Sequence, residues 1–216
     1  MRKNLFIVQG INKSKYMSPA DVGRAGFPIG KYGSEEYIDT ESIFDRHWTW
    51  TKPIPYSDSL GDVAKFYLSK KVRGETRQLM RKHLSSEHNQ GAKVDVVAHS
   101  LGTMITLTCG TKKHKVDFGD LYLMGSPLAL KNWLGRKLFV HPNYKKHVKD
   151  KDNVPNISCD NIYFVWSRND DICHFADEDI ARLLKMVNVR GKVVFVESDS
   201  HHNWESYMID LVNDAI

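Results

Sequence analysis

A ten-residue segment near the middle of the chain constrains the fold more than any other feature. Residues 94–103 read VDVVAHSLGT, an apolar β-branched run that passes through Ser100 directly into a sequence with helical spacing. Small residues stand two positions before and two positions after the serine, at Ala98 and Gly102, so a strand and a helix can pack closely around a sharp turn. Such a turn holds the serine Oγ above the sheet edge. It also leaves the N–H of Leu101 at a helix start, directed at developing negative charge.

Short apolar runs that end at glycine or small polar residues recur along the chain and predict buried parallel strands. Segments with apolar residues at three- and four-residue spacing lie between them and predict helices. The predicted strands are Asn4 to Val8, Val94 to Ala98, Leu121 to Met124, Ile162 to Trp166 and Val193 to Val196. The predicted helices are 59–83, the residues after Ser100, 176–187 and 204–216. Residues 12–56 are interpreted as long loops around one further strand at 47–51. The alternation of strands and helices predicts a single α/β domain spanning 1–216.

The strand, the Ala-His-Ser-Leu-Gly sequence at 98–102 and the helix that follows it together resemble the lipase and esterase branches of the α/β-hydrolase superfamily. The resemblance implies a mostly parallel, doubly wound sheet of the α/β-hydrolase type, reduced in size. It also implies a serine hydrolase that cleaves a carboxylic ester through an acyl-enzyme, with Ser100 as the nucleophile and no cofactor. The plainer alternative is a serine that only caps a helix.

The same resemblance implies that an acid follows the serine, in a loop at the carboxyl end of a later strand. The strand predicted at 162–166 is followed by Ser-Arg-Asn-Asp-Asp-Ile-Cys, which is similar to the turn that carries the acid in the superfamily. Asp170 is therefore the expected acid, and Asp171 is the adjacent alternative.

The resemblance places a histidine after the last strand, ahead of a closing helix. The strand predicted at 193–196 is followed by Glu-Ser-Asp-Ser-His-His-Asn-Trp. Counting from the strand start favours His201, and Trp204 three residues later is similar to the aromatic step into the last helix of the superfamily. His202 stays open as the second choice.

The chemistry explains why these residue types are needed together. A serine hydroxyl is a weak nucleophile near neutral pH, so a neutral imidazole within hydrogen-bond reach must take its proton, and His201 is the expected base. Asp170 is expected to accept the other ring N–H and to steady the imidazolium that forms.

Two backbone donors are expected to hold the oxyanion of the tetrahedral intermediate. One is the N–H of Leu101, and the resemblance makes the N–H of Ile11, after the first strand, the other. In the superfamily this loop usually reads His-Gly before the oxyanion residue, whereas here Gln9 precedes Gly10. The substitution leaves backbone donation intact but removes the usual side-chain support of the loop.

Residues 128–158 lack a clean period and are interpreted as a lid-like insertion, because hydrolases of this kind insert a lid at this position. The segment 131–151 carries seven lysines and arginines against one aspartate, in a chain of formal net charge +5. Such a segment favours an anionic surface. It is also the basis of the alternative hypothesis, a non-catalytic binding protein with the α/β-hydrolase fold that holds an anionic partner. No specific nucleic acid is predicted.

Cysteine usage and hydropathy point to the compartment. No apolar run approaches the roughly 18 residues that cross a bilayer, so no transmembrane segment is predicted. The three cysteines are an odd number with no metal-ligand spacing, so neither a disulfide framework nor a zinc ribbon is expected. The histidines and carboxylates have no established metal-ligand spacing either, so no metal site is expected. The cysteine usage therefore predicts a cytoplasmic location, and the resemblance implies a small-molecule or lipid ester as the substrate.

Overall fold

A computed structural model describes residues 3–10, 17–46, 66, 69–86, 89, 91–111, 113–127, 156–170, 172–173 and 187–216. Its strands are β1 (Asn4–Val8), β2 (Ser34–Tyr37), β3 (Val94–His99), β4 (Val116–Asp117), β5 (Leu121–Met124), β6 (Ile157–Cys159), β7 (Ile162–Ser167), β8 (Val187–Val189) and β9 (Val193–Ser198). Its α-helices are α1 (Pro19–Arg24), α2 (Glu41–Arg46), α3 (Lys70–Leu84), α4 (Leu101–Thr108) and α5 (Trp204–Ala215), with a 3₁₀ turn at Ile29–Lys31.

Six of these strands form one sheet in the order β2-β1-β3-β5-β7-β9. Every neighbouring pair in it is parallel. The predicted α/β class with a mostly parallel sheet is therefore confirmed. The carboxyl ends of the strands meet at one edge, so the loops that follow β1, β3, β7 and β9 lie near one another.

Helices cover both faces of this sheet, and each face has its own apolar core. One core joins α2, α3 and α4 to side chains such as Phe6, Val96 and Phe164. The other joins α1 and α5 to the side chains that point the opposite way, such as Leu5 and Val97. Strands buried on both sides read as continuous apolar runs, which explains why their positions could be predicted.

The five predicted strands are confirmed, and three of them extend one or two residues further. The helices expected after Ser100 and at 204–216 are also confirmed, at 101–108 and 204–215. The helix expected over 59–83 is observed at 70–84, and most of 59–68 lies outside the described residues. The helix expected at 176–187 also lies outside them, except that Val187 is the first residue of β8, which corrects its end.

The loop interpretation of 12–56 was wrong in part, because this span contains α1, α2 and the edge strand β2. β2 reads Ser-Glu-Glu-Tyr and is half exposed, so it lacks the apolar pattern that marks a buried strand. α1 begins with a capping box between Ser18 and Asp21, but it has only six residues and no clear apolar period. The strand expected at 47–51 lies outside the described residues.

A second sheet of three short parallel strands, in the order β4-β6-β8, was not predicted. Each of its strands precedes a strand of the main sheet by a few residues, so it adjoins the amino ends of β5, β7 and β9. β6 also corrects the end of the lid-like insertion, because 157 and 158 lie in this sheet. Residues 128–155 lie outside the described residues. No helix that the structure describes is long and apolar enough to span a bilayer.

Candidate active site

Ser100 occupies a strained turn between β3 and α4. Its φ is 53°, in the left-handed region that residues with a side chain rarely adopt. The turn is held by the Ser100 N–H, which donates to the carbonyl of Met124 at 2.9 Å, and by the Thr103 N–H, which donates to the Ser100 carbonyl at 3.0 Å. Ser100 is the residue that the sequence predicted at this turn, and it lies at the carboxyl end of β3.

The turn depends on Gly102. A Cβ at Gly102 would lie 2.0 Å from the carbonyl oxygen of Val8, because α4 starts directly against the end of β1. This close approach is the physical reason for a small residue two positions after the serine.

His202 is the histidine that contacts the serine. Its Nε2 lies 2.9 Å from Ser100 Oγ, and its Nδ1 lies 2.7 Å from Asp170 Oδ2. An ionised carboxylate can only accept, so Nδ1 carries the ring hydrogen and Nε2 is the acceptor that faces the serine hydroxyl. Like Ser100, His202 has a left-handed backbone, with a φ of 64°.

The preference for His201 over His202 is therefore corrected. The His201 side chain is exposed, and its Nδ1 lies 3.1 Å from the carbonyl oxygen of Asn169. The reason is geometric, since the alternation of β9 continues into the loop: Val196, Ser198 and Ser200 are buried, and the residues between them are exposed. Position 202 is next in the inward series. This alternation was visible in the sequence and favours His202 over its neighbour.

Asp170 lies beneath His202 and is 1% exposed. Its Oδ1 accepts the Ile172 N–H at 2.7 Å, and its Oδ2 accepts from both His202 and the Tyr207 hydroxyl. Burial raises the pKa of Asp170, but these hydrogen bonds, first that from His202, outweigh it and hold the pKa below its ordinary value. Asp170 is thus placed where the sequence predicted an acid, and the alternative Asp171 lies outside the described residues.

The loop after β1 lies directly against the serine turn. The Gly10 N–H donates to the carbonyl of His99 at 2.8 Å, and a Cβ at Gly10 would lie 2.7 Å from the Leu101 nitrogen. Only glycine allows this approach, which brings the loop beside the Leu101 N–H. Ile11, the other expected oxyanion donor, lies outside the described residues.

The side chain of Gln9 supports the loop that follows β1. Its side chain is buried, and its Oε1 accepts the N–H of Met17 at 2.6 Å. This hydrogen bond ties together the two ends of the segment between Gly10 and Met17.

Two side chains that the sequence analysis did not single out pack around the hydrogen-bonded residues Ser100, His202 and Asp170. Tyr207 lies on the buried face of α5, which the apolar spacing Trp204, Tyr207, Met208 and Leu211 defines. The ring of His99 lies 4.9 Å from the ring of His202, centroid to centroid. Among the described residues, His99 Nε2 has no hydrogen-bond partner. Burial, and then the neighbouring His202, hold the pKa of His99 well below its ordinary value.

The buried imidazole of His99 is expected to make stability depend on pH. Below a pH of about 6.5 the unfolded chain binds a proton at this residue that the folded chain does not, so the free energy of unfolding falls as pH falls. His99→Phe removes this contribution. Between pH 7 and pH 5.5 we expect wild type to lose about 1 kcal/mol more than His99→Phe, measured by urea unfolding at both pH values. Equal losses in the two proteins would contradict this account of His99.

No group of three or more histidine, cysteine, aspartate or glutamate side chains in the described part of the chain could hold a metal ion. The basic segment 131–151 lies outside that part.

Comparison with known proteins gives structural neighbours only. No known family profile matches the chain, and no curated protein matches it. Similar solved structures include a Xanthomonas campestris protein assigned to the α/β-hydrolase superfamily, 16% identical over 98% of this chain and 99% of that chain, with a TM-score of 0.45. An esterase of Pyrococcus furiosus is 13% identical over 98% of this chain and 83% of its own, with a TM-score of 0.46. A metagenome-derived lipolytic enzyme is 10% identical over 93% of this chain and 85% of its own, with a TM-score of 0.46. Such identities carry no information about the substrate, so the chemistry has to follow from the site itself.

Proposed function

We propose that the chain is a serine hydrolase that cleaves carboxylic esters through an acyl-enzyme. Ser100 is the nucleophile, His202 is the general base and Asp170 orients the base. The observation that carries the proposal is the continuous hydrogen-bonded series from Ser100 Oγ through the His202 ring to Asp170, at the carboxyl edge of the main sheet. A serine that only capped a helix would need neither of the other two residues.

In the acylation step, Ser100 Oγ attacks the ester carbonyl carbon while His202 Nε2 takes its proton. The imidazolium that forms keeps its Nδ1–H on Asp170, whose negative charge stabilises it. The carbonyl oxygen becomes an oxyanion and accepts from the Leu101 N–H at the start of α4 and, in this proposal, from the Ile11 N–H. His202 then gives its proton to the leaving alcohol, and the acyl group stays on Ser100.

Deacylation repeats these steps with a water molecule as the nucleophile. His202 takes a proton from a water molecule as the water oxygen attacks the acyl carbon, and it returns that proton to Ser100 Oγ as the acid leaves. General-base assistance of this kind contributes roughly 10² to 10⁴ in rate.

The substrate class is a small-molecule or lipid ester. Ser126, which follows β5, is not assigned contact with the substrate, because it is fully buried and its hydroxyl oxygen is hydrogen-bonded to Thr103 Oγ1 at 2.7 Å. The basic segment 131–151 would attract an anionic surface on which such a substrate is carried. The protein would act in the cytoplasm and would need no cofactor.

The test is hydrolysis of p-nitrophenyl esters of increasing acyl length. We expect wild type to turn over at least one member of the series and Ser100→Ala to lose roughly 10⁴-fold or more in kcat/KM, because no hydroxyl remains to attack. Ser126→Ala is the matched control, since it removes a nearby buried hydroxyl outside the proposed series, and it should stay within tenfold of wild type. Turnover that survives in folded Ser100→Ala would rule out this proposal.

A further inference from the structure

The phenol of Tyr207 shares a carboxylate oxygen with the proposed base. Tyr207 lies on the first turn of α5, is fully buried, and its hydroxyl donates to Asp170 Oδ2. The same oxygen accepts the Nδ1–H of His202, while the other oxygen is occupied by the Ile172 N–H. Asp170 therefore holds His202 with an oxygen that already carries a second donor.

We propose that Tyr207 is a positioning residue that weakens the attraction of Asp170 for the protonated ring of His202. The inference rests on the proposed function for its kinetic consequence, but the hydrogen-bond competition itself does not require turnover.

The physical reason is the competition of two donors for one anionic oxygen. A hydrogen bond from the Tyr207 hydroxyl stabilises the carboxylate and so reduces how strongly Asp170 attracts the positive charge of a protonated imidazole. Without the hydroxyl, the same carboxylate would hold the imidazolium more tightly, and the ring would release its proton only at higher pH. Burial, followed by the nearby Cys173 and Asp170, raises the pKa of Tyr207 above its ordinary value, so the phenol stays a donor.

The other titratable groups that face this pair do not change charge near neutral pH. His99 approaches from β3, and its depressed pKa keeps its ring neutral. Cys173 approaches from the loop after β7, and burial, followed by the charge of Asp170, holds its pKa well above the ordinary value. Asp170 stays ionised because its pKa lies below the ordinary value.

The kinetic test compares Tyr207→Phe with Tyr122→Phe. The second variant is a matched control: Tyr122 belongs to the same apolar core but stands on β5, where its hydroxyl interacts with Tyr32 rather than with Asp170. We measure kcat/KM as a function of pH and expect the midpoint of the acidic limb of this profile to move up by about half a pH unit in Tyr207→Phe. We expect KM to stay unchanged, because the Tyr207 hydroxyl contacts Asp170 and not Ser100. Tyr122→Phe should change neither quantity. Equal midpoints in wild type and Tyr207→Phe would overturn the proposal.

A second measurement separates this inference from the proposed function. The His202 ring is followed by ¹⁵N NMR across pH in the Ser100→Ala background, with and without Tyr207→Phe, and its signal is identified by its loss in His202→Gln. The titration midpoint is expected to rise by about half a unit when the hydroxyl is removed. An unchanged midpoint would overturn the inference. A raised midpoint in a protein that hydrolyses no ester would support the inference and leave the proposed function as the part that fails.

If Tyr207→Phe does not fold, 3-fluorotyrosine placed at position 207 by amber suppression keeps the hydroxyl and makes it a stronger donor. The midpoint of the His202 titration is then expected to move down rather than up. A midpoint that stays at its wild-type value in this folded protein would equally overturn the inference.

Discussion

His202→Gln is expected to lower kcat/KM for ester hydrolysis by roughly 10³- to 10⁴-fold, whereas His201→Gln should stay within about threefold of wild type. The two residues are adjacent and chemically identical, so the contrast depends on geometry alone. His202 contacts both Ser100 and Asp170, whereas Nδ1 of the exposed His201 ring lies against a backbone carbonyl in the loop after β7. Glutamine can fill the space of imidazole, but it cannot take the proton of the serine.

Folding of both variants is checked by circular dichroism and by urea unfolding before the kinetic comparison. The reverse outcome, in which His201→Gln is inactive and His202→Gln is active, would show that the base is the other histidine. Equal losses in both variants would also contradict the assignment.

Gly102→Ala is expected to destabilise the protein by about 3 kcal/mol, at the upper end of what an overpacked interior costs. Helix propensity alone predicts the opposite sign, because alanine is favoured over glycine in a helix by about 1 kcal/mol. The contact with the Val8 carbonyl decides the outcome: a methyl group 2.0 Å from a backbone oxygen forces β1 and α4 apart. The same displacement would disturb the serine turn, so residual activity should fall together with stability.

Gly74→Ala is the matched control within the same chain. Gly74 lies in α3, is exposed, and a Cβ there would meet nothing within 4 Å. No steric contact then opposes the higher helix propensity of alanine, and we expect the free energy of unfolding to rise by about 0.5 to 1 kcal/mol. Both free energies of unfolding are measured in urea at neutral pH. A Gly102→Ala protein as stable as wild type would show that α4 does not lie against β1 as described.

The main sheet could be predicted because its central strands are buried on both faces. Runs such as Asn4 to Val8 and Leu121 to Met124 have the same boundaries in the sequence pattern and in the structure. The edge strand β2 and the three strands of the small sheet could not be predicted, because they have only two to four residues each and all of them except β6 are partly exposed. Strands of that length are defined by distant backbone partners rather than by their own side chains.

In the candidate site, too, the residues that follow strongly patterned strands could be predicted, whereas the contacts made by tertiary packing could not. Ser100 and Asp170 follow strands with strong patterns, so their positions could be derived from the chain. The choice between His201 and His202 required following the inward alternation of β9 beyond its last residue. The contact of Tyr207 with Asp170 forms only when α5 packs against β7, so the local sequence of neither segment predicts it.

The most direct test of the central claim is covalent labelling by a fluorophosphonate, which reacts with a serine hydroxyl only when a base activates it. The account predicts one adduct per chain, mapped by mass spectrometry to Ser100. It also predicts a wild-type labelling rate in His201→Gln and a rate lower by orders of magnitude in His202→Gln. An adduct at another residue, or no adduct on folded wild-type protein, would contradict it.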